Sequence, residues 1–255
     1  MIIFFHPDFL EHYAFDPAAE PGRLEPALDL LQGKYPFAKP RPAVQEEVLR
    51  VHTEKHWHSI AEDDLLCHTA LLAAGASIEA AETAMEGAHA FALCRPPGHH
   101  ASADSCWGFC YFNNIAIAVK SLLDQEYIDT ALIVDFDLHF GDGTANIFQG
   151  EKTVTFWHCR EGSSRRFLAT LEKDLQDFDA DLVAVSAGFD RGVDDWGGML
   201  TANDYYGIGN LLANFAREKC GNRLFAALEG GYNARALAKN IDSFLQGLQK
   251  YPGRK

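Results

Sequence analysis

The 255-residue chain is poor in basic side chains, with 22 Lys and Arg against 36 Asp and Glu, for a formal net charge of −14. So acidic a surface repels phosphate backbones and anionic lipid headgroups and attracts cations, which sets aside nucleic-acid and membrane-surface roles. Long apolar runs are missing too, so no segment approaches the length that crosses a bilayer. The opening Met1-Ile-Ile-Phe-Phe-His-Pro7 is apolar for only a few residues and has no cationic leader, fitting neither a signal peptide nor an anchor. The six cysteines (Cys67, Cys94, Cys106, Cys110, Cys159, Cys220) include no CxxC pair and no dense framework, so reduced thiols in a cytoplasmic protein are expected. No Ser/Pro/Gly-rich linker, charge block or internal repeat divides the chain, and residues 1–255 read as a single domain.

What is present is ordinary globular composition, 47% hydrophobic and 23% charged, enough to bury one large core. Short apolar runs rich in β-branched and aromatic residues recur at Ile2–Phe5, Ala90–Cys94, Ala131–Val134, Thr153–Trp157, Leu182–Ser186 and Leu224–Leu228, and read as buried strands. Between them lie stretches with helical spacing: Thr69–Met85, Asn114–Leu123, Phe167–Leu175, Asn203–Arg217 and Ala234–Gln249. Alternating strands and helices predict an α/β fold, a three-layer α/β/α domain with a mostly parallel sheet. Ligands in such folds sit beyond the carboxyl ends of the strands, so chemistry should come directly after the apolar runs. It does in four places: Arg95-Pro-Pro-Gly-His99-His100, Asp135-Phe-Asp137-Leu-His139, Ala187-Gly-Phe-Asp190 and Glu229-Gly-Gly-Tyr232.

Asp135-x-Asp137-x-His139 puts alternate side chains on one face until the backbone turns, so two or three of them can converge on a cation. A carboxylate and imidazole set suits zinc or another borderline divalent metal, while the alternative is carboxylates capping the next helix. Asp190, from another strand end, can complete a three-ligand site with a position left open for water and substrate, the mark of a catalytic zinc. His99-His100 comes after a Pro-Pro-Gly turn that can bring both rings to one pocket. The glycines before Tyr232 let the chain bend closely around a ligand, although a tight turn with a packed tyrosine would read the same way.

Taken together, Arg95-Pro-Pro-Gly-His-His-Ala101, Gly108-Phe-Cys-Tyr-Phe-Asn-Asn114, Asp135-Phe-Asp-Leu-His139 with Gly141-Asp-Gly-Thr144, Ser186-Ala-Gly-Phe-Asp190 and Glu229-Gly-Gly-Tyr232 resemble the successive signatures of the zinc-dependent histone deacetylase and acetylpolyamine amidohydrolase family. The resemblance spans most of the chain and implies the arginase/deacetylase-like fold. It implies Asp137, His139 and Asp190 as zinc ligands and Tyr232 as the group that polarises the amide carbonyl and stabilises the oxyanion. His100 would be general base and then acid, with Asp142 as its carboxylate partner. His99 would be the electrostatic member of the pair, oriented by Asp135. Gly108 and Phe109 would wall the channel for the acyl-lysine stem. The implied substrate is an acylated amine, an acetyl-lysine protein or peptide or an acetylpolyamine, and Fe²⁺ could compete with Zn²⁺ in the cell. A binding relic that kept the pocket and lost turnover is the alternative; the sequence is silent on oligomeric state.

Two positions and one segment depart from the family pattern. A second histidine usual after the ligand is Phe140 here. The serine that supports a monovalent-cation site is Phe156, which leaves a K⁺ site beneath Asp135 to His139 in doubt. The segment from His158 to Asp181 is short and lacks the family's second channel aromatic, predicting a more open site unless Trp157, Phe167 or Trp196 substitutes; each could equally be core. Arginase-type relatives need a second set of Asp ligands where this chain has Gly141 and Gly192, so one metal is expected. His52-Thr-Glu-Lys-His56 has zincin-like histidine spacing, but its Glu54 is misplaced, and it reads as a helix start with solvated histidines. Gly141-Asp-Gly-Thr-Ala lacks the Lys of a phosphate loop.

Overall fold

In the computed structural model, which describes residues 1–249, seven strands form one sheet: β1 Ile2–Phe4, β2 Phe37–Ala38, β3 Ala90–Ala92, β4 Ala131–Asp135, β5 Val154–His158, β6 Leu182–Ala187 and β7 Leu224–Leu228. Their order is β2-β1-β3-β7-β6-β4-β5, and every pairing is parallel. The α-helices are α1 Glu25–Leu31, α2 Gln45–Val48, α3 Glu54–Ile60, α4 Asp64–Met85, α5 Asn114–Asp124, α6 Asp142–Ile147, α7 Ser164–Asp174, α8 Ala202–Lys219 and α9 Ala234–Gln249. Helices α4 and α5 pack together beside the sheet, while α1, α9, α8 and α7 pack in succession as a second group. A parallel sheet must be covered on both faces, and β4, β6 and β7 are accordingly buried along their whole length.

Local chemistry sets the helix boundaries. Helix α4 begins earlier than its apolar pattern suggests because the Asp63 carboxylate accepts from Leu66 N–H at 3.0 Å and caps the first turn. Thr201 and Asp204 form a reciprocal capping box at the start of α8. Asn113 caps α5 by accepting from Ala116 N–H at 3.0 Å. The same residue donates from Nδ2 to Ala101 O at 2.9 Å and Thr144 Oγ1 at 3.1 Å, tying α5 to the segment just after His100 and to α6.

The expectation of solvated histidines at His52 and His56 is corrected. Helix α3 does start there, with Thr53 as its cap, but both rings are buried. Each ring is bonded to backbone of the segments that flank the site: His52 Nδ1–H donates to Ser102 O at 2.9 Å, its Nε2 accepts from Asn113 N–H at 2.9 Å, and His56 Nε2–H donates to Tyr111 O at 2.7 Å.

Candidate active site

The four chemistry-bearing strand ends belong to β3, β7, β6 and β4, which are consecutive neighbours in the sheet. Register aligns them: Asp135 sits opposite Ser186, Ser186 opposite Ala227, and Ala92 opposite Ala227. The loops leaving these strands therefore meet over one patch, and all ten residues expected to build the site come together there.

At the centre, the ligand atoms of Asp137, His139 and Asp190 lie within 4.8 Å of one another. Asp137 is held on both oxygens, Oδ1 accepting from His139 N–H and Oδ2 from Gly230 N–H, each at 2.9 Å. Asp190 accepts from Leu138 N–H on Oδ1 at 2.9 Å, but its buried Oδ2 has no hydrogen-bond partner among the described residues. That oxygen is 3.1 Å from His139 Nδ1, too poorly angled for a hydrogen bond, as for two donors aimed at a common third atom. Burial and the Asp137 charge push Asp190 up to about 6. The bond to Asp137 and the Asp190 carboxylate alongside hold His139 up at about 10. The chemistry of the set, two buried carboxylates crowded with one imidazole nitrogen at the cavity, asks for a divalent cation and fits zinc.

Gly230 is required at this spot. A Cβ there would lie 2.6 Å from Asp137 Oδ2 and 2.9 Å from the Asp190 carboxyl carbon.

Both imidazoles have a carboxylate behind them. His99 Nδ1–H donates to Asp135 Oδ2 at 3.0 Å, and His100 Nδ1–H to Asp142 Oδ1 at 2.6 Å. Their environments push them apart. Desolvation would depress His99, but Asp137 and Asp135 outweigh it and raise the ring well above its usual value, so it is charged. Burial and the His99 charge lower His100 to about 4, so it is neutral, with Nδ1 as donor and Nε2 available as acceptor. Titratable neighbours driven in opposite directions have divided the acid and base roles.

A cavity of about 370 Å³ reaches these groups and is lined by His99, His100, His139, Phe109 and Tyr232. Gly108 and Phe109 adopt positive φ of 59° and 66°, and a Cβ at Gly108 would lie 2.5 Å from the His100 ring. The strained turn brings the backbone flat against the imidazole and presents Phe109 to Tyr232, ring centroids 5.9 Å apart. Burial raises the Tyr232 hydroxyl well above its ordinary pKa, keeping it a proton donor.

Of the three aromatics considered as replacements for the missing wall, Trp157 and Phe167 are core, packed on each other with centroids 5.8 Å apart. Trp196 lines the cavity, stacked on Tyr232 with centroids 3.9 Å apart. Its neighbour Asp195 accepts from Tyr232 N–H and Asn233 N–H, both at 2.8 Å, so one loop fixes the tyrosine by ring and by backbone. Sequence reasoning missed Asp195, and also Trp107, whose Nε1–H donates to Asp142 Oδ2 at 2.8 Å while its ring lies over His100 with centroids 3.9 Å apart. A tryptophan immediately before Gly108-Phe109 was the available signal. Behind the site, Glu229 receives Gly98 N–H at 2.6 Å and His99 N–H at 3.1 Å. Burial lifts Glu229 to about 7 and the neighbouring Cys110 thiol well above its usual range, and one Glu229 oxygen is already taken by the two backbone amides, so Glu229 holds the Gly98–His99 segment in place.

Known proteins resemble this chain in sequence and fold. The profile of the histone deacetylase domain matches residues 18–164 and 158–248. The chain is 30% identical to a probable deacetylase of Archaeoglobus fulgidus, over 91% of this chain and 81% of that protein. It is 32% identical to the mouse polyamine deacetylase HDAC10 over 71% of this chain, and 27% identical to the histone deacetylase clr3 of Schizosaccharomyces pombe over 83%. It spans 33% and 40% of the length of those two relatives. Among solved structures, the crystal structure of the HDA15 HD domain superposes with a TM-score of 0.84 at 25% identity, covering 96% of this chain and 88% of that one. With its motifs converging in space as well as recurring in order, this chain belongs to the histone deacetylase domain family.

Proposed function

We propose that the chain is a zinc-dependent amidohydrolase that removes an acyl group, acetyl in the first instance, from a cationic amine. The carrying observation is the convergence at one cavity of a three-donor nitrogen and oxygen set, two carboxylate-backed imidazoles and a phenol. Asp137, His139 and Asp190 would hold the metal, which when bound lowers the pKa of water and polarises an amide carbonyl. Fe²⁺ suits the same donors.

The chain's own residues supply the remainder. His100 enters neutral, takes a proton from water on Nε2, and returns it to the departing nitrogen, which makes the amine a competent leaving group. Asp142 fixes its tautomer and steadies the imidazolium that forms. His99, charged against Asp135, keeps positive potential beside the reacting carbonyl. Tyr232 donates its hydroxyl proton in a hydrogen bond to the developing oxyanion. Phe109, Tyr232 and Trp196 exclude water along the aliphatic stem. The net charge of −14 draws in cationic amines, which suits both lysine-bearing proteins and polyamines. The names of the relatives, a polyamine deacetylase and a histone deacetylase, support the same two substrate classes. Free cysteines, all but Cys106 buried, support a reducing compartment such as the cytoplasm.

The test is product formation by mass spectrometry from zinc-loaded protein offered acetylputrescine, acetylspermidine and an acetyl-lysine peptide, with Asp190→Ala as control. Turnover of the peptide assigns a protein deacylase, and turnover of the small amines alone a polyamine deacetylase. Zinc bound with no hydrolysis of these or longer acyl amines would replace the proposal with a binding module.

A further inference from the structure

Arg191 comes directly after the ligand candidate Asp190 and is buried, 4% exposed. Among the described residues no carboxylate forms an ion pair with it. Its guanidinium is instead enclosed by carbonyl oxygens: Nε–H is shared between Phe136 O at 3.1 Å and Asp137 O at 3.0 Å, and an Nη2 proton goes to Cys159 O at 2.7 Å. Nη2 also lies 3.3 Å from His158 Nε2, and the guanidinium carbon sits 5.2 Å from the centroid of the Phe167 ring. The backbone of the same residue is pinned, its carbonyl accepting from Met199 N–H at 2.9 Å and Leu200 N–H at 2.8 Å.

The placement has a physical cause. Where β4 ends the chain leaves the sheet, so the carbonyls of Phe136 and Asp137 have lost their ladder partners, and Cys159 is in the same position beyond β5. Buried carbonyls without partners cost free energy, and several converging on one point, close to the buried carboxylates of Asp135, Asp137 and Asp190, create a strongly negative spot. A cation is the natural occupant. Here the cation is covalently attached. The position assigned to the serine of a monovalent-cation site is Phe156, whose ring packs on Phe140 with centroids 5.6 Å apart and offers no oxygen.

We propose that the Arg191 guanidinium is a tethered cation that positions the peptide units around Asp137, so that the metal site needs no monovalent cation beneath it. Arg191 is then a positioning residue. It clamps the carbonyl of Phe136 just before Asp137 and the carbonyl of Asp137 itself, fixing the direction in which the Asp137 and His139 side chains leave the backbone. The fork shape matters, since one planar group reaches carbonyls from two different strand ends.

This inference rests on the reading of Asp137, His139 and Asp190 as metal ligands. It is tested by zinc affinity from chelator competition, at fixed ionic strength in potassium chloride or in tetramethylammonium chloride, on the full chain and on Arg191→Ala. The native protein is expected to bind zinc equally, within about twofold, in the two salts. Arg191→Ala is expected to lose about 10- to 100-fold in tetramethylammonium and to recover most of the loss with potassium or methylguanidinium. A native affinity that climbs tenfold or more with potassium overturns the proposal, and this measurement stands even where the variant does not fold. So does an alanine variant that binds zinc as tightly as the native chain, or a loss that neither cation restores, which would make Arg191 a packing residue only. Native protein that binds no zinc in either salt sinks the metal reading itself and this inference with it.

Discussion

The buried ring of His52 gives a quantitative expectation for acid stability. Its neutral tautomer is fixed by two backbone partners, a carbonyl taking the Nδ1 proton and an amide N–H, that of Asn113, donating to Nε2. Protonation would put two N–H groups face to face and bury a charge; burial, with the nearby His56, holds the pKa down at about 4. An unfolded histidine titrates near 6.5. The folded value is the depressed one, so this contribution is fully present above the unfolded pKa and is lost as the pH falls from about 6.5 toward about 4. The gap corresponds to about 3 kcal/mol in full, of which about 2 kcal/mol is already lost at pH 5. His52→Gln keeps a donor and an acceptor but cannot titrate. Denaturant unfolding of both proteins at pH 7.5 and pH 5, with metal treated identically, isolates the difference. The native chain should lose about 2 kcal/mol more than the variant over that interval. Equal losses, within about 0.5 kcal/mol, would mean that the ring tolerates its proton, and the two-partner argument would fail. The consequence reaches the site, because Asn113 anchors the segment just after His100.

Other perturbations separate the parts of the site. Trp196→Ala removes the stacking partner of Tyr232, worth about 1 kcal/mol, and should lower kcat/KM by about 5- to 10-fold while zinc affinity is unchanged. Gly230→Ala drives a methyl group into Asp137 and Asp190 and should weaken zinc binding more than about tenfold, read by chelator competition. Asp142→Asn leaves the hydrogen bond to His100 but removes the charge, and kcat should fall by about 10- to 100-fold with little change in KM. Exhaustive chelation should abolish hydrolysis of every acylated amine, and readdition of zinc should restore it.

Much of this was legible in the sequence because its signals are local. A buried parallel strand is a short apolar run, and the residues just beyond its carboxyl end face the ligand side of the sheet, so Asp137, His139 and Asp190 could be named as candidates from position, whereas Tyr232 also fitted a packed turn and needed the family resemblance. Strand order is a tertiary property, and only the fold makes β3, β7, β6 and β4 neighbours. The same limit explains His52 and His56. Their spacing marks a helix start correctly, yet whether a histidine there meets water depends on the Ser102 to Asn113 segments packed over it, residues far away in the chain. Trp196 could be named as a candidate but not chosen over Trp157 and Phe167, since only the packing shows which of the three aromatics faces the cavity. Arg191 left the least trace. Phe156 signalled that an oxygen was missing, and nothing in one sequence says that a guanidinium 35 positions later reaches the carbonyls of Phe136, Asp137 and Cys159.

The buried arginines complete the electrostatic logic of the site. Arg23, Arg95 and Arg191 are all buried, and among the described residues none forms an ion pair with a carboxylate. Each bonds backbone carbonyls instead: Arg23 donates to Gly231 O at 2.8 Å and Glu229 O at 2.6 Å, Arg95 to Glu20 O at 2.8 Å, and Arg191 to Phe136, Asp137 and Cys159. A guanidinium paired with Asp137 or Asp190 would neutralise a candidate metal ligand and take its lone pairs. Bonded to carbonyls rather than to carboxylates, the three cations stabilise the irregular loops that leave the strand ends. The carboxylates stay free for a metal and for the two imidazoles. Loop geometry and ligand charge are thereby controlled by different residues, so a substitution at Arg23 or Arg191 should disturb where the ligands point before it disturbs how strongly they bind a proton.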